Sequence, residues 1–317
     1  MSTQSQVKIV EVGPRDGLQN ETKVLSPEQK FELIERLYRS GLRSIEVGSL
    51  VNPARVPQMA NSDALYKALD SSDFFSGQQS FPVLVPNIKG MERAIELGVK
   101  EIACFTAASD TFNEKNIGCD IEESFTRIAA VMELARQHHI AVRGYLSCIV
   151  SCPYEGAISQ AKVAQLTERL LDLGCYEISL GDTIGVATPG QISPLLEQIL
   201  RKTASDKLAL HLHDTYGQAL ANISVGLAMG IRSFDSSIAG LGGCPYAPGA
   251  SGNVATEDLV YMLHGMGFHT HVDLTELVET GSHISNLLGR QNNSKVGLAL
   301  LSQNRRTESG VGVGSCK

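Results

Sequence analysis

The 317-residue chain is 43% hydrophobic and carries a net charge of −7, so it has the apolar mass for one large core or two modest ones. The acidic balance and the lack of a basic stripe argue against a nucleic-acid surface, and no apolar run approaches the ~20 residues that a membrane span needs. The N-terminus lacks the charged and apolar blocks of a signal peptide. The seven cysteines are odd in number and scattered, with Cys148-x3-Cys152 the one close pairing, which points to a reducing, cytoplasmic compartment.

Short β-branched runs alternate with amphipathic helical patterns along the chain. Strands are expected at Val7–Val12, Ser44–Val47, Phe81–Val85, Glu101–Phe105, Ala141–Leu146, Glu177–Leu180, Lys207–Leu212 and Ser233–Ile238. The first helix is expected at Pro27–Arg39, with Ser26 as its N-cap and Pro27 at the first helical position. Further helical patterns cover Pro57–Leu69, Ile88–Leu97, Ile121–His138, Ser159–Leu173, Pro189–Lys202, Gln218–Met229 and Thr256–Met266, and one more, Leu274–Leu288, is left over. Eight strand–helix pairs describe an α/β chain folded as a (β/α)8 TIM barrel with an extra C-terminal helix. A doubly wound open sheet competes, but no Gly-x-Gly-x-x-Gly follows the first strand. One catalytic barrel domain over residues 1–302 is expected, followed by a polar, Gly-rich and unstructured tail over residues 303–317.

In such a barrel, chemistry collects at the C-terminal ends of the strands. Strand seven, Leu208-Ala209-Leu210-His211-Leu212-His213-Asp214, ends with two histidines at i and i+2, which share one face of a strand and can hold a divalent metal. Oxygen ligands are also needed, and Asp16 and Asn253 are candidates; two nitrogens with oxygens suit an octahedral Mg²⁺, Mn²⁺ or Co²⁺ better than zinc. Arg15 beside Asp16 fits a division of labour in which the aspartate ligates metal or takes a proton and the guanidinium meets a developing oxyanion. Asp182 alone reads as a helix cap, and the glycine-rich stretch around Cys244 reads either as a mobile lid carrying a thiol or as an ordinary turn.

Arg15-Asp16-Gly17-Leu18-Gln19-Asn20, the Glu46 strand end, Val56-Pro57-Gln58-Met59 and Cys152-Pro153-Tyr154-Glu155-Gly156 resemble the 3-hydroxy-3-methylglutaryl-CoA lyase family. So do Gly181-Asp182-Thr183-Ile184-Gly185, His211-x-His213-Asp214-Thr215-Tyr216-Gly217, and the Cys244 loop with Ala250-Ser251-Gly252-Asn253. The likeness runs from about Val7 to Val296. It implies cleavage of 3-hydroxy-3-methylglutaryl-CoA to acetyl-CoA and acetoacetate with Mg²⁺ or Mn²⁺, by a homodimer whose partner is the acyl-CoA substrate. By the same resemblance, Asp16, His211, His213 and Asn253 are the metal ligands, Arg15 stabilises the enolate, Glu46 supports that network and Cys244 is the loop thiol. Gln19, Ser49, Tyr145, Ser179, Asp182 and Thr183 then line the substrate pocket.

The run Val47-Gly48-Ser49-Leu50 and the tail around Cys316 depart from the animal members, so a lyase for a longer 3-alkylglutaryl-CoA stays open. A Claisen-condensing synthase of the same superfamily and a non-catalytic metal or acyl-CoA binder are the other readings.

Overall fold

A computed structural model describes residues 5–308 apart from 76, 78, 245 and 246; the side chains of 244, 247–251 and 304–308 also lie outside the described set. The chain runs β1 (Lys8–Glu11), α1 (Pro27–Arg39), β2 (Ser44–Ile45), β3 (Gly48–Ser49), α2 (Ser62–Asp70), β4 (Val83–Leu84), α3 (Ile88–Glu96) and β5 (Glu101–Ala107). It continues through α4 (Asp110–Ile117), α5 (Ile121–Gln137), β6 (Ala141–Ser147), β7 (Ser151–Cys152), β8 (Gly156–Ala157), α6 (Gln160–Leu173), β9 (Ile178–Asp182) and α7 (Pro189–Leu200). Then come β10 (Leu208–Leu212), α8 (Ala219–Ala228), β11 (Ser233–Ser236), β12 (Gly243–Cys244), β13 (Ala247–Ser251), α9 (Thr256–Gly265), α10 (Leu274–Leu288) and α11 (Lys295–Glu308).

The parallel strands follow the order β2-β1-β11-β10-β9-β6-β5-β4-β3. Its two ends, β2 and β3, are halves of one extended run, Ser44–Ser49: the first half pairs with β1 and the second with β4. Glu46 N–H donates to Glu11 O and Val47 N–H to Pro82 O, so the ladder passes through the gap between the halves and the sheet curls round on itself. This is the eight-position parallel architecture expected of a TIM barrel. Two small antiparallel hairpins, β7–β8 and β12–β13, sit outside it.

Local sequence accounts for most element ends. Ser26 caps α1 in a capping box with Gln29, and Pro27 occupies the first turn. Asn87, Ser109, Asp120, Ser159 and Asp273 cap α3, α4, α5, α6 and α10 through their side chains. The expected strand Phe81–Val85 shortens to Val83–Leu84, because Pro82 has no N–H to give the ladder. The expected helix Pro57–Leu69 divides into a 3-10 turn at Pro57–Met59 and α2 from Ser62. The helix α4 was not expected; it buries only Phe112 and Asn113, too little to leave a periodic pattern.

The tail expected to lose structure at Gln303 instead continues α11 to Glu308, while residues 309–317, with Cys316, lie outside the described residues. Asp258 on α9 explains how α11 starts. Its carboxylate accepts the Lys295 and Val296 N–H groups and the Ser294 hydroxyl at 3.2, 2.8 and 2.7 Å, which satisfies the free donors of a helix N-terminus.

The apolar core fills the layer between strands and helices, while the barrel interior combines a small apolar cluster, Leu84, Ala103, Phe105 and Tyr145, with an ion-pair network. Arg143 on β6, Asp235 on β11 and Glu177 just before β9 are buried there. Arg143 Nε donates to Glu177 Oε1 at 2.6 Å, and its Nη2 and Nη1 donate to the two oxygens of Asp235 at 2.7 and 3.1 Å. The two carboxylates and the planar guanidinium satisfy one another, which a buried charge requires.

Two predictions follow from this architecture. Gly41 turns the chain from α1 into β2 at φ +104°, where a Cβ would sit 2.0 Å from the His271 carbonyl oxygen. Gly41→Ala should therefore destabilise the fold by more than about 1 kcal/mol in urea titration. Burial raises Glu257 from 4.5 to about 8 and Glu11 to about 7. The folded state then holds protons that the unfolded chain has released, so the stability tied to these groups is full at low pH and lost as pH rises through those values. The urea midpoint should fall between about pH 5.5 and about pH 8.5, and fall less in Glu257→Gln.

Candidate active site

The C-terminal rim opens into a cavity of about 690 Å³, a size suited to a small-molecule ligand. Arg15, Asp16, Gln19, Tyr145, Ser179, Thr183, His211, His213 and Gly243 are on its wall. Arg15 and Asp16 are carried by a single π-helical turn, Gly13–Gly17, closed by the Gly17 N–H on the Val12 carbonyl. His211 sits in β10 and His213 just past its end. Beyond β10 the chain is held by a bridge between His213 and Asn253 and by hydrogen bonds from Val254 N–H to Leu212 O and from Asp214 N–H to Gly252 O. That pairing brings Asn253, forty residues downstream, alongside the histidines.

Asp16, His211 and His213 present ligand atoms within 4.8 Å of one another. Their chemistry fits a divalent cation. His211 Nδ1 lies 3.1 Å from Asp235 Oδ2, which fixes the tautomer with that N–H donating and leaves Nε2, 3.9 Å from Asp16 Oδ2, as a free lone pair. His213 is half-buried, with Nδ1 shielded and lacking any hydrogen-bond partner, and desolvation, helped by His211, pushes its pKa down to about 4, so the ring is neutral. Burial would raise Asp16, but Arg15 and both imidazoles outweigh it and hold the carboxyl near 2, ionised at any working pH. A neutral imidazole and a firmly ionised carboxylate are the forms that bind metal. Asn253 donates its amide nitrogen to Asp16 Oδ2 at 2.7 Å, and its amide oxygen would face a cation only after turning about the Cβ–Cγ bond.

Next to this cluster stands a buried arginine. Arg15 Nη1 donates to Asp16 Oδ1 at 2.6 Å and Nη2 to Glu46 Oε2 at 2.8 Å, while Nε has no partner. Burial alone would lower Arg15, yet Glu46 and Asp16 hold it above its ordinary value. Tyr145 donates its hydroxyl to the same Glu46 oxygen at 3.1 Å, and its ring lies 5.5 Å from the Arg15 guanidinium carbon. Burial raises Glu46 more than Arg15 lowers it, and its Oε1 is also unpartnered. The arrangement is a permanent buried cation with an unpartnered donor, beside a candidate metal-binding triad.

Comparison with known proteins now bears on this geometry. The family model described as HMGL-like matches residues 6–284. The chain belongs to the HMGL-like family. It is 55% identical over 300 residues to the mitochondrial hydroxymethylglutaryl-CoA lyase of Arabidopsis thaliana, covering 95% of this chain and 63% of that one. Its structure superposes on the crystal structure of hydroxymethylglutaryl-CoA lyase from Pseudomonas aeruginosa with a TM-score of 0.91, 49% identity and coverage of 94% and 98%. A second neighbour, at a TM-score of 0.88 and 32% identity over the full length of both chains, is an HMG-CoA lyase from Acinetobacter baumannii in complex with coenzyme A and 3-methylmalate.

Within this HMGL-like barrel, not every expected residue stands on the cavity wall. Ser49 is buried, with its hydroxyl on the Leu84 carbonyl at 3.4 Å. Asp182 accepts the Ala187 N–H at 2.9 Å and so braces the loop after β9, closer to the capping role its sequence suggests than to a pocket position. Thr183 is on the wall and also accepts the Cys148 N–H at 2.8 Å. Ser179 spends its hydroxyl on Asp235 Oδ2 at 2.7 Å. The side chain of Cys244 lies outside the described residues, although its backbone neighbour Gly243 lines the cavity.

Sequence reasoning gave no role to Arg143, a residue of the resembling motif Arg143-Gly144-Tyr145, and passed over Asp235. Asp235 receives Arg143, Ser179 and His211, and although burial raises it, Arg143 and His211 hold it far below the usual carboxylate range. The available signal was an ionisable aspartate inside the expected strand Ser233–Ile238, where the other polar residues are serines. Asp235→Asn should weaken Mn²⁺ binding by on the order of tenfold, because His211 loses its charged orienting partner. Calorimetric titration checks this; an unchanged affinity would remove Asp235 from that role.

Proposed function

We propose that this HMGL-like chain cleaves 3-hydroxy-3-methylglutaryl-CoA to acetyl-CoA and acetoacetate, using Mg²⁺ or Mn²⁺ held by Asp16, His211, His213 and Asn253. The observation that carries the reading is the Asp16–His211–His213 cluster beside the buried Arg15, whose Nε has no partner, at the wall of one cavity. The acetyl-CoA and acetoacetate products require a bond to break between C2 and C3, which leaves a pair of electrons that the thioester carbonyl must take up.

A divalent cation, when bound, makes a coordinated hydroxyl far more acidic than it is in water. The chain's own residues do the rest. Asp16 receives the proton of the C3 hydroxyl. With a value near 2 it is a weak base, so the transfer relies on that acidification. As the C3 oxygen becomes a ketone, the C2–C3 electrons pass into the thioester as an enolate. Arg15 meets the new charge through an N–H that Asp16 and Glu46 leave free; Nε carries one such N–H. Glu46 and Tyr145 hold the guanidinium plane in place, so little reorganisation is needed when the charge forms. A proton returned to C2, balancing the one that Asp16 took from the C3 hydroxyl, then completes acetyl-CoA.

Release of acetoacetate should require Mg²⁺ or Mn²⁺, stop on chelation, and be lost in His213→Ala. Arg15→Gln should keep metal affinity and lower kcat by roughly 10²–10³-fold, the scale of removing one oxyanion donor. Rapid release after chelation, or an Arg15→Gln enzyme with unchanged kcat, would contradict the reading.

A further inference from the structure

The rim carries a buried carboxylate that the reaction does not use. Glu11, at the end of β1, is fully buried and points away from the barrel interior, towards the start of α9. Among the described residues no lysine, arginine or histidine forms an ion pair with it. Its partners are instead three donors from three segments: Gly13 N–H at 2.7 Å and Ile238 N–H at 2.9 Å on Oε1, and the Thr256 hydroxyl at 2.6 Å on Oε2.

Each segment leads to the site. Gly13 opens the π-helical turn that bears Arg15 and Asp16. Ile238 opens the turn 238–240 that leads to Gly243 on the cavity wall. Thr256 follows Asn253 by three residues, and its hydroxyl also lies 2.9 Å from Ser236 Oγ. The segments are packed closely enough for one carboxylate to set their spacing. A Cβ at Gly13 would lie 2.5 Å from Glu11 Oε1, and one at Gly17 would lie 2.6 Å from Ser237 Oγ and 2.7 Å from Leu241 Cβ. The turn 238–240 holds Ala239 at φ +55°, an unusual conformation for a residue with a side chain, and the Ala239 N–H is bound by a second buried carboxylate, Glu257, at 2.9 and 3.1 Å.

We infer that Glu11 is a positioning residue: its carboxylate fixes the Arg15–Asp16 turn against the turn leading to the glycine-rich hairpin and against the Asn253 segment, and so sets the distance between the enolate-stabilising cation and the metal ligands. The carboxyl group suits the position because Oε1 takes two backbone N–H groups at once while Oε2 takes the Thr256 hydroxyl. A glutamine keeps an oxygen for the two N–H groups but replaces Oε2 by an N–H2 group, which can only donate, so the Thr256 hydroxyl must turn round and its contact with the β1 end changes.

The inference rests on the lyase reading, and two variants of the full-length chain test it, each assayed for kcat, KM, Mn²⁺ affinity by calorimetry and thermal midpoint. Glu11→Gln should raise the Mn²⁺ dissociation constant and lower kcat, each by on the order of tenfold, with KM changed less than kcat, as expected for residues that orient ligands from behind. Thr256→Val removes one donor and keeps the other two, so it should shift both quantities in the same direction by a smaller factor. A structural role alone would lower the thermal midpoint and leave the affinity and kcat of the folded enzyme at parental values; that result in Glu11→Gln overturns the inference. If Glu11→Gln does not fold, Thr256→Val decides on the same two readouts, with parental values again overturning it. Loss of turnover in the parent itself would sink the lyase reading instead, and the Mn²⁺ affinities would still test the role of Glu11.

Discussion

The bidentate pair between Arg143 and Asp235 is the interaction on which the site depends. It crosses the barrel from β6 to β11, strands that are not neighbours in the sheet, and places a buried negative charge beneath His211. From Asp235 the contacts run through His211 to Asp16, and from Asp16 through Arg15 to Glu46 and Tyr145. The candidate metal cluster and the buried Arg15 cation therefore meet at Asp16, which His211 faces across 3.9 Å without a hydrogen bond. A slip of one residue in β6 or β11 would turn Arg143 or Asp235 out of the barrel and break it.

Such an interior is not the most stable one available. Apolar residues of similar volume fill most barrels of this type, and a buried ion pair seldom outperforms them in free energy. What the ions supply is orientation. In a site shielded from water, fixed charges keep their strength and need not reorganise when charge moves during reaction. The same shielding explains why Asp16 and Asp235 are held low while Glu11 and Glu257, which face no cation among the described residues, are pushed up.

Much of this was legible in the sequence. The 3.6-residue pattern and its caps give Pro27–Arg39 and Leu274–Leu288 to the residue. The His211-x-His213 spacing on an apolar strand and the Arg15-Asp16 pair mark the rim that the fold brings together. What did not show were relations between distant strands. Asp235, in a serine-rich strand, and Arg143 look like ordinary polar residues until the barrel closes, and Glu11 looks like one more strand-end acid until three segments converge on it. Ser49 and Asp182 carry the right residue types at strand ends; local hydrogen bonds occupy the Ser49 hydroxyl and one Asp182 oxygen, while Asp182 Oδ1 has no partner. The helix α11 escaped notice because its start is set by Asp258, far away in sequence.

The central claim is that two imidazoles and a carboxylate converge on one cation, with His211 oriented from behind by Asp235. Pulsed EPR of the Mn²⁺-loaded protein, labelled with ¹⁵N-histidine, reads this directly. The account predicts couplings from two directly bound histidine nitrogens, with one of them lost in His213→Ala. A Mn²⁺ spectrum without histidine nitrogen coupling would contradict it.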